Sequence, residues 1–247
     1  MQGLGFNGAP FKYLDEFVTM PDWAKIHADT CYGISQSIWN KRYVSSGVHD
    51  TFADREITPY VRQVQHRLDQ YALEKFQSLT DTDQRLKFIS AWGPIPHPFW
   101  IIYIRDNQRI ENTGIFNKSV AADCSWTDNA RHFGSLIDFV KSLPFCELGR
   151  ILLFMTEAHN STVPHFDGAQ RFERPHDDFV WFTTKPNTKQ MFIFDEHNQQ
   201  KIRPDPDKKL IWFNEMDYHG TDAVDHFSFS VRVDGVFHPD LRQQLRS

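Results

Sequence analysis

Apolar and polar positions follow two different rhythms on either side of Pro144. In residues 57–76, Ile57, Tyr60, Val61, Val64, Leu68, Tyr71, Ala72 and Phe76 recur in steps of three and four, which predicts an amphipathic helix. Thr80 or Asp81 is placed to cap a short following segment. Phe133, Leu136, Ile137 and Val140 share one helical face, so 130–141 is predicted to be a helix packed on a sheet. Between these segments, Pro94, Pro96 and Pro98 interrupt regular structure, since proline has no N–H and a fixed φ. The aromatic and β-branched run 99–104 then reads as a buried strand. The first fifty residues, with polar clusters such as 43–47, read as irregular.

After Pro144 the apolar residues gather in short runs: 149–156, 176–184, 189–195, 208–213 and 226–236. Turn material separates them, including Arg203-Pro-Asp-Pro-Asp207. Lys185-Pro-Asn-Thr188 lies between two apolar runs and reads as a hairpin connection. Many short strands with turn signals predict a sandwich or barrel. The expected class is mainly β with flanking helices. No repeat, low-complexity tract or linker divides the chain, so 1–247 is read as one domain. Residues 1–142 then form a helical and irregular buttress with the first strands, and 143–241 the β core.

Composition narrows the function classes. A chain of 247 residues with 40% hydrophobic content can bury one sizeable core. The formal net charge of -5, without a run of basic residues, argues against nucleic-acid or anionic-membrane partners. Cys31, Cys124 and Cys146 are odd in number and lack CxxC spacing, so neither a disulfide framework nor a cysteine zinc site is expected. The first residues do not pair a charged region with an apolar one as a signal peptide does, and no run approaches a membrane span. A reducing, cytoplasmic location is the expectation.

The chemistry lies in Val163-Pro-His165-Phe-Asp167-Gly168. In extended chain, residues i and i+2 point to one side, so His165 and Asp167 can offer an imidazole and a carboxylate to a single ion. His219, just beyond the apolar run that ends at Phe213, supplies a second imidazole, and Gly220 permits close approach. His226 is a rival for that place. Two histidines and one carboxylate leave half the coordination sphere open, the pattern of Fe(II) oxygenases that bind O2 and a bidentate co-substrate. A zinc site of the same residues lacks an evident general base and the helical HExxH context.

At these residues the chain resembles the aspartyl/asparaginyl β-hydroxylase family, which includes bacterial proline hydroxylases. The resemblance covers roughly 143–241. It rests on Leu143-Pro-Phe145, the run Gly149–Met155, His165-Phe-Asp167-Gly168, Arg174-Pro-His176, Leu210–Asn214 with His219, and His238-Pro-Asp-Leu241. It implies a double-stranded β-helix of the jelly-roll or cupin-like kind, with Fe(II) on His165, Asp167 and His219. It also implies 2-oxoglutarate as co-substrate, held by His176, Arg174 and an arginine near the end of the core. The family spacing for that arginine falls on Phe229, and Arg232 stands three residues later. Ser230 shares the face of Arg232 and can add a hydroxyl.

The expected activity is hydroxylation of an unactivated C–H, with release of succinate and CO2. The substrate is expected to be amino-acid-like, as a small molecule or within a peptide. The sequence leaves oligomeric state open. Two other readings stand beside it: a cupin-like metal isomerase or hydrolase, and a non-catalytic β-sandwich that binds a partner.

Overall fold

In the computed structural model of the chain, the described residues are 9–43, 78, 80, 84, 98–107, 123–165, 178–185, 189–195, 200–215 and 217–246. The helix expected at 57–76 lies outside them, as does Asp81.

The amino-terminal segment is more regular than its hydropathy suggests. Helix α1 spans Trp23–Gln36, and the Asp22 carboxylate caps it by accepting from the N–H groups of Ala24 and Lys25, each at 3.1 Å. Its buried stripe is Ile26, Thr30, Gly33 and Ile34. Two of these four are not apolar by composition, which hid the helical period. Gly33 is required there, because a Cβ would meet the Phe133 ring at 2.6 Å and the His132 carbonyl at 2.5 Å. The helix expected at 130–141 is a 3-10 turn, Asp128–His132, followed by α2, Gly134–Val140. It buries Leu136, Phe139 and Val140 beneath Phe133. Helix α3, Pro239–Arg246, closes the chain with Leu241 and Leu245 buried. No described helix is long and apolar enough to cross a membrane.

The strands, in chain order, are β1 (Phe11–Tyr13), β2 (Asn40–Tyr43), β3 (Pro98–Asn107), β4 (Cys124–Trp126), β5 (Phe145–Thr156) and β6 (Thr162–His165). They continue with β7 (Asp178–Phe182), β8 (Met191–Asp195), β9 (Gln200–Ile202), β10 (Ile211–Phe213), β11 (His219–Thr221) and β12 (Ser228–Phe237). An eight-stranded sheet runs β1-β10-β7-β12-β5-β3-β2, with β4 beside β3, and a four-stranded sheet runs β6-β11-β8-β9. All pairings are antiparallel. Strands of the first 142 residues therefore extend the same large sheet that β5, β7, β10 and β12 build.

Each predicted strand is present, trimmed or extended at its ends. The short ones, β1, β2, β4, β6, β9 and β11, carry too few residues for a period-two pattern to register. The hairpin expected at 185–188 is a correction. β7 pairs with β10 and β12, whereas β8 pairs with β11 and β9, so the connection passes from one sheet to the other. Turn chemistry reverses the chain but does not choose its partner; both strands are largely buried, and burial on two faces requires neighbours in different layers.

Alternation along the large sheet separates two environments. Phe229, Val231 and Val233 of β12, with Met155, Leu153 and Ile151 opposite them, belong to the apolar core under the helices. There Trp23, Phe139 and Phe182 meet edge-on or tilted at 5.1–5.8 Å. A fully buried phenylalanine such as Phe182 contributes about 1.5–3 kcal/mol. The other face of β12 carries Ser228, Ser230, Arg232 and Asp234, all buried. Buried polar groups in that number need partners, and where they find them defines the site.

Candidate functional site

The small sheet brings the two predicted histidines together. His219 pairs in register with His165 across β11 and β6, and Thr221 pairs with Thr162. In-register residues share a face of the sheet with Cβ atoms about 4.5–5.5 Å apart. The Thr221 and Thr162 hydroxyls lie 2.9 Å apart on that face. A register shift between the two pairs lets both close. Gly220 is needed beside them, since a Cβ would stand 2.5 Å from the Thr162 carbonyl oxygen and 2.9 Å from the Phe192 ring.

His219 is 8% exposed, and its ring lies 5.0 Å from that of Phe213, which reaches it from the large sheet. Its Nδ1 lies 2.9 Å from the Asp217 carbonyl oxygen. A carbonyl only accepts, so Nδ1 carries the hydrogen and the lone pair sits on Nε2. A backbone carbonyl fixing the tautomer in this way is the usual support of a metal-binding imidazole. The His219 imidazole, held in this way, has the chemistry of a divalent-metal ligand, and the backbone of His165 stands opposite it in register. The rival His226 is exposed and lies 2.8 Å from Asp225, and the hydrogen bond from its ring lowers the Asp225 carboxyl below its ordinary range. Asp167, Arg174 and His176 lie outside the described residues, as does the side chain of His165. Among the described residues no three His, Cys, Asp or Glu gather in a metal-binding set.

Arg232 and Ser230 share one face, as expected, but their surroundings differ. The Arg232 guanidinium donates to Asp234 at 2.7 Å and to Glu215 at 2.8 Å, and it lies 3.9 Å from the Phe179 ring centroid. Arg150 donates to the other oxygen of Asp234 through Nε and Nη2. Two guanidinium groups and two carboxylates are thereby matched inside the protein. Among the described residues, the Ser230 hydroxyl, 1% exposed, has no hydrogen-bond partner, and neither has that of Thr156, 2% exposed.

Sequence reasoning missed Lys189. It precedes β8 on the small sheet, yet its Nζ donates to the Phe154 carbonyl of β5 at 3.3 Å. Its side chain therefore crosses between the sheets. Burial pushes its pKa down to about 7. The available signal was a lysine two residues ahead of the buried Met191, where a strand end would ordinarily be solvated.

No protein-family model and no curated sequence matches the chain. Among solved structures it is similar to a Trichoplax adhaerens prolyl hydroxylase in complex with a hypoxia inducible factor oxygen degradation domain peptide fragment. The identity is 11% and the TM-score 0.34, over 93% of this chain and 98% of that one. It is also similar to a Pseudomonas putida prolyl-4-hydroxylase, at 9% identity and TM-score 0.33 over 87% and 100% of the two chains. A third is a 2OG-Fe(II) oxygenase family oxidoreductase from Burkholderia pseudomallei, at 9% identity and TM-score 0.35 over 90% and 96%. Superpositions this loose fix neither the fold nor the chemistry.

Proposed function

We propose that the chain is an Fe(II)- and 2-oxoglutarate-dependent hydroxylase with His165, Asp167 and His219 as iron ligands. The observation that carries this reading is the in-register pairing of His165 with His219, with the His219 tautomer set by Asp217. The strand order supports it. From β5 to β12 the chain passes repeatedly between the two sheets, as a double-stranded β-helix does.

When bound, the iron would supply oxidation by O2, with 2-oxoglutarate leaving as succinate and CO2 and one oxygen atom entering a C–H bond. The protein's part is to bind, orient and exclude water. His219 offers Nε2 while Asp217 holds the ring. Arg174 and His176 would meet the co-substrate near the metal, and Ser230 would line its far end. No protein acid or base is required for C–H cleavage. The substrate class proposed is an amino acid, free or within a peptide.

Anaerobic titration with Fe(II) and 2-oxoglutarate should give a visible charge-transfer band, and admission of air should release succinate. In His165→Ala and His219→Ala both signals should vanish while the fold is retained by circular dichroism. A wild-type protein without the band, or a His219→Ala variant that keeps it, defeats the proposal.

A further inference from the structure

The matched charges around Arg232 leave the far carboxylate of a 2-oxo diacid without an evident cation, and the interior holds another candidate. Lys189 reaches Phe154 from the opposite sheet, and Phe154 pairs in register with Ser230. Ser230 and Thr156, the latter two positions along from Phe154, share its face and carry two of the four buried hydroxyls that lack a hydrogen-bond partner among the described residues; Thr30 and Ser135 carry the others. Among the described residues no carboxylate pairs with Lys189. A buried ammonium using one of its three donors on the Phe154 carbonyl, on a strand pair whose same face carries two orphan hydroxyls, makes an incomplete polar set. Such groups are costly in the interior unless something completes them. What completes this one is an anion with several acceptor lone pairs, which a carboxylate has.

We propose that Lys189, with the Ser230 and Thr156 hydroxyls, binds the distal carboxylate of 2-oxoglutarate, and that Arg232 is a structural member of the Arg150–Asp234–Glu215 network. The inference rests on the oxygenase reading and deepens it. The placement is consistent: on β8, Ile193 pairs with His219 and Met191 with Thr221, and Lys189 lies in the turn that leads into Met191. Lys189 therefore enters the space between the sheets at the end of β8 away from His219, where the distal end of a diacid chelating metal at its oxo end would lie. The lowered pKa of Lys189 agrees, because an arriving carboxylate would restore the charged form.

The test compares 2-oxoglutarate with 2-oxobutyrate, which keeps the metal-chelating oxo acid and lacks the distal carboxylate. Affinities are measured by anaerobic calorimetry on the Fe(II)-loaded full chain. Wild type should prefer 2-oxoglutarate. Lys189→Met should lose roughly tenfold or more in 2-oxoglutarate affinity, as removal of one member of a buried charged pair does, with 2-oxobutyrate unchanged. Lys189→Arg should recover part of the preference. A Lys189→Met protein that still prefers the diacid as wild type does overturns the assignment, and so does a wild type that binds both acids equally. A wild type that binds neither Fe(II) nor either acid defeats the oxygenase reading itself, and the assignment with it.

Discussion

Two polar patches share the inner face of β5 and β12, and they are built on opposite plans. In one, Arg150 and Arg232 meet Asp234 and Glu215, and the charges cancel within the protein. In the other, Lys189, Ser230 and Thr156 bring a cation and two hydroxyls with no anion among the described residues. The first patch is complete without a ligand and serves as architecture. The second is incomplete and acquires its partner from outside. Proximity to the site therefore does not assign a role; a group's unmet bonding capacity is the better guide.

Removing Asp234 should break the complete patch and give the largest effect. Asp234→Ala leaves two buried guanidinium groups facing each other, and breaking a buried pair in this way costs about 3–5 kcal/mol. Against a total stability of roughly 5–15 kcal/mol, the variant should be close to unfolding. Urea denaturation followed by tryptophan fluorescence reads it directly. A loss below about 1 kcal/mol, the value of an exposed pair, would show that the network is not structural.

Lys189→Met should act in the opposite direction, which separates the two patches sharply. A lysine with a folded pKa of about 7 binds fewer protons folded than unfolded, where its value is near 10.5. Its burial therefore weakens the fold most below pH 7, and stability rises with pH between about 7 and 10.5. At about 1.36 kcal/mol per pKa unit, the full shift corresponds to an upper bound of about 5 kcal/mol, most of it present at neutral pH. The variant should unfold at higher urea concentration than wild type at pH 7, and it should lose that pH-dependent rise. Burial is the cause of the shift, and Phe154, whose carbonyl and ring the ammonium meets, carries no charge. An unchanged urea midpoint would mean that Lys189 reaches solvent.

The same contrast explains what was legible in the sequence. The long apolar runs of β5 and β12 announce themselves, because a strand covered on both faces is apolar throughout. His219 stands out from His226 in the sequence because it follows a strand and a turn, as in the family the chain resembles, and because Gly220 permits close approach; the structure has that close approach at Gly220. Helix α1 was not visible, since Thr30 and Gly33 occupy half of its buried stripe. The fate of Arg232 was equally hidden: Glu215 is seventeen residues away and Arg150 meets Asp234 across eighty-four. Lys189 was hidden for the same reason, because its contact lies thirty-five residues back on the opposite sheet. Local patterns report an element's type; the matching of buried charges is decided by which strands become neighbours.

The smallest expected effect is the most discriminating. Ser230 stands on β12 two residues from Arg232, so the two patches are adjacent and the boundary between them can be tested at one oxygen atom. If that hydroxyl belongs to the ligand, Ser230→Ala removes a buried polar atom with no protein partner. Deleting a desolvated, unpaired group should be neutral or stabilising by about 0.5–1 kcal/mol. The same change should weaken 2-oxoglutarate binding by a few fold, roughly the worth of one hydrogen bond to a charged group, while leaving 2-oxobutyrate binding unchanged. If Ser230 instead completes the Arg232 network, the order reverses, and the variant loses about 1 kcal/mol or more of stability with both acids bound as before. Denaturation and calorimetry on the same preparation then draw the line between scaffold and ligand pocket at that side chain.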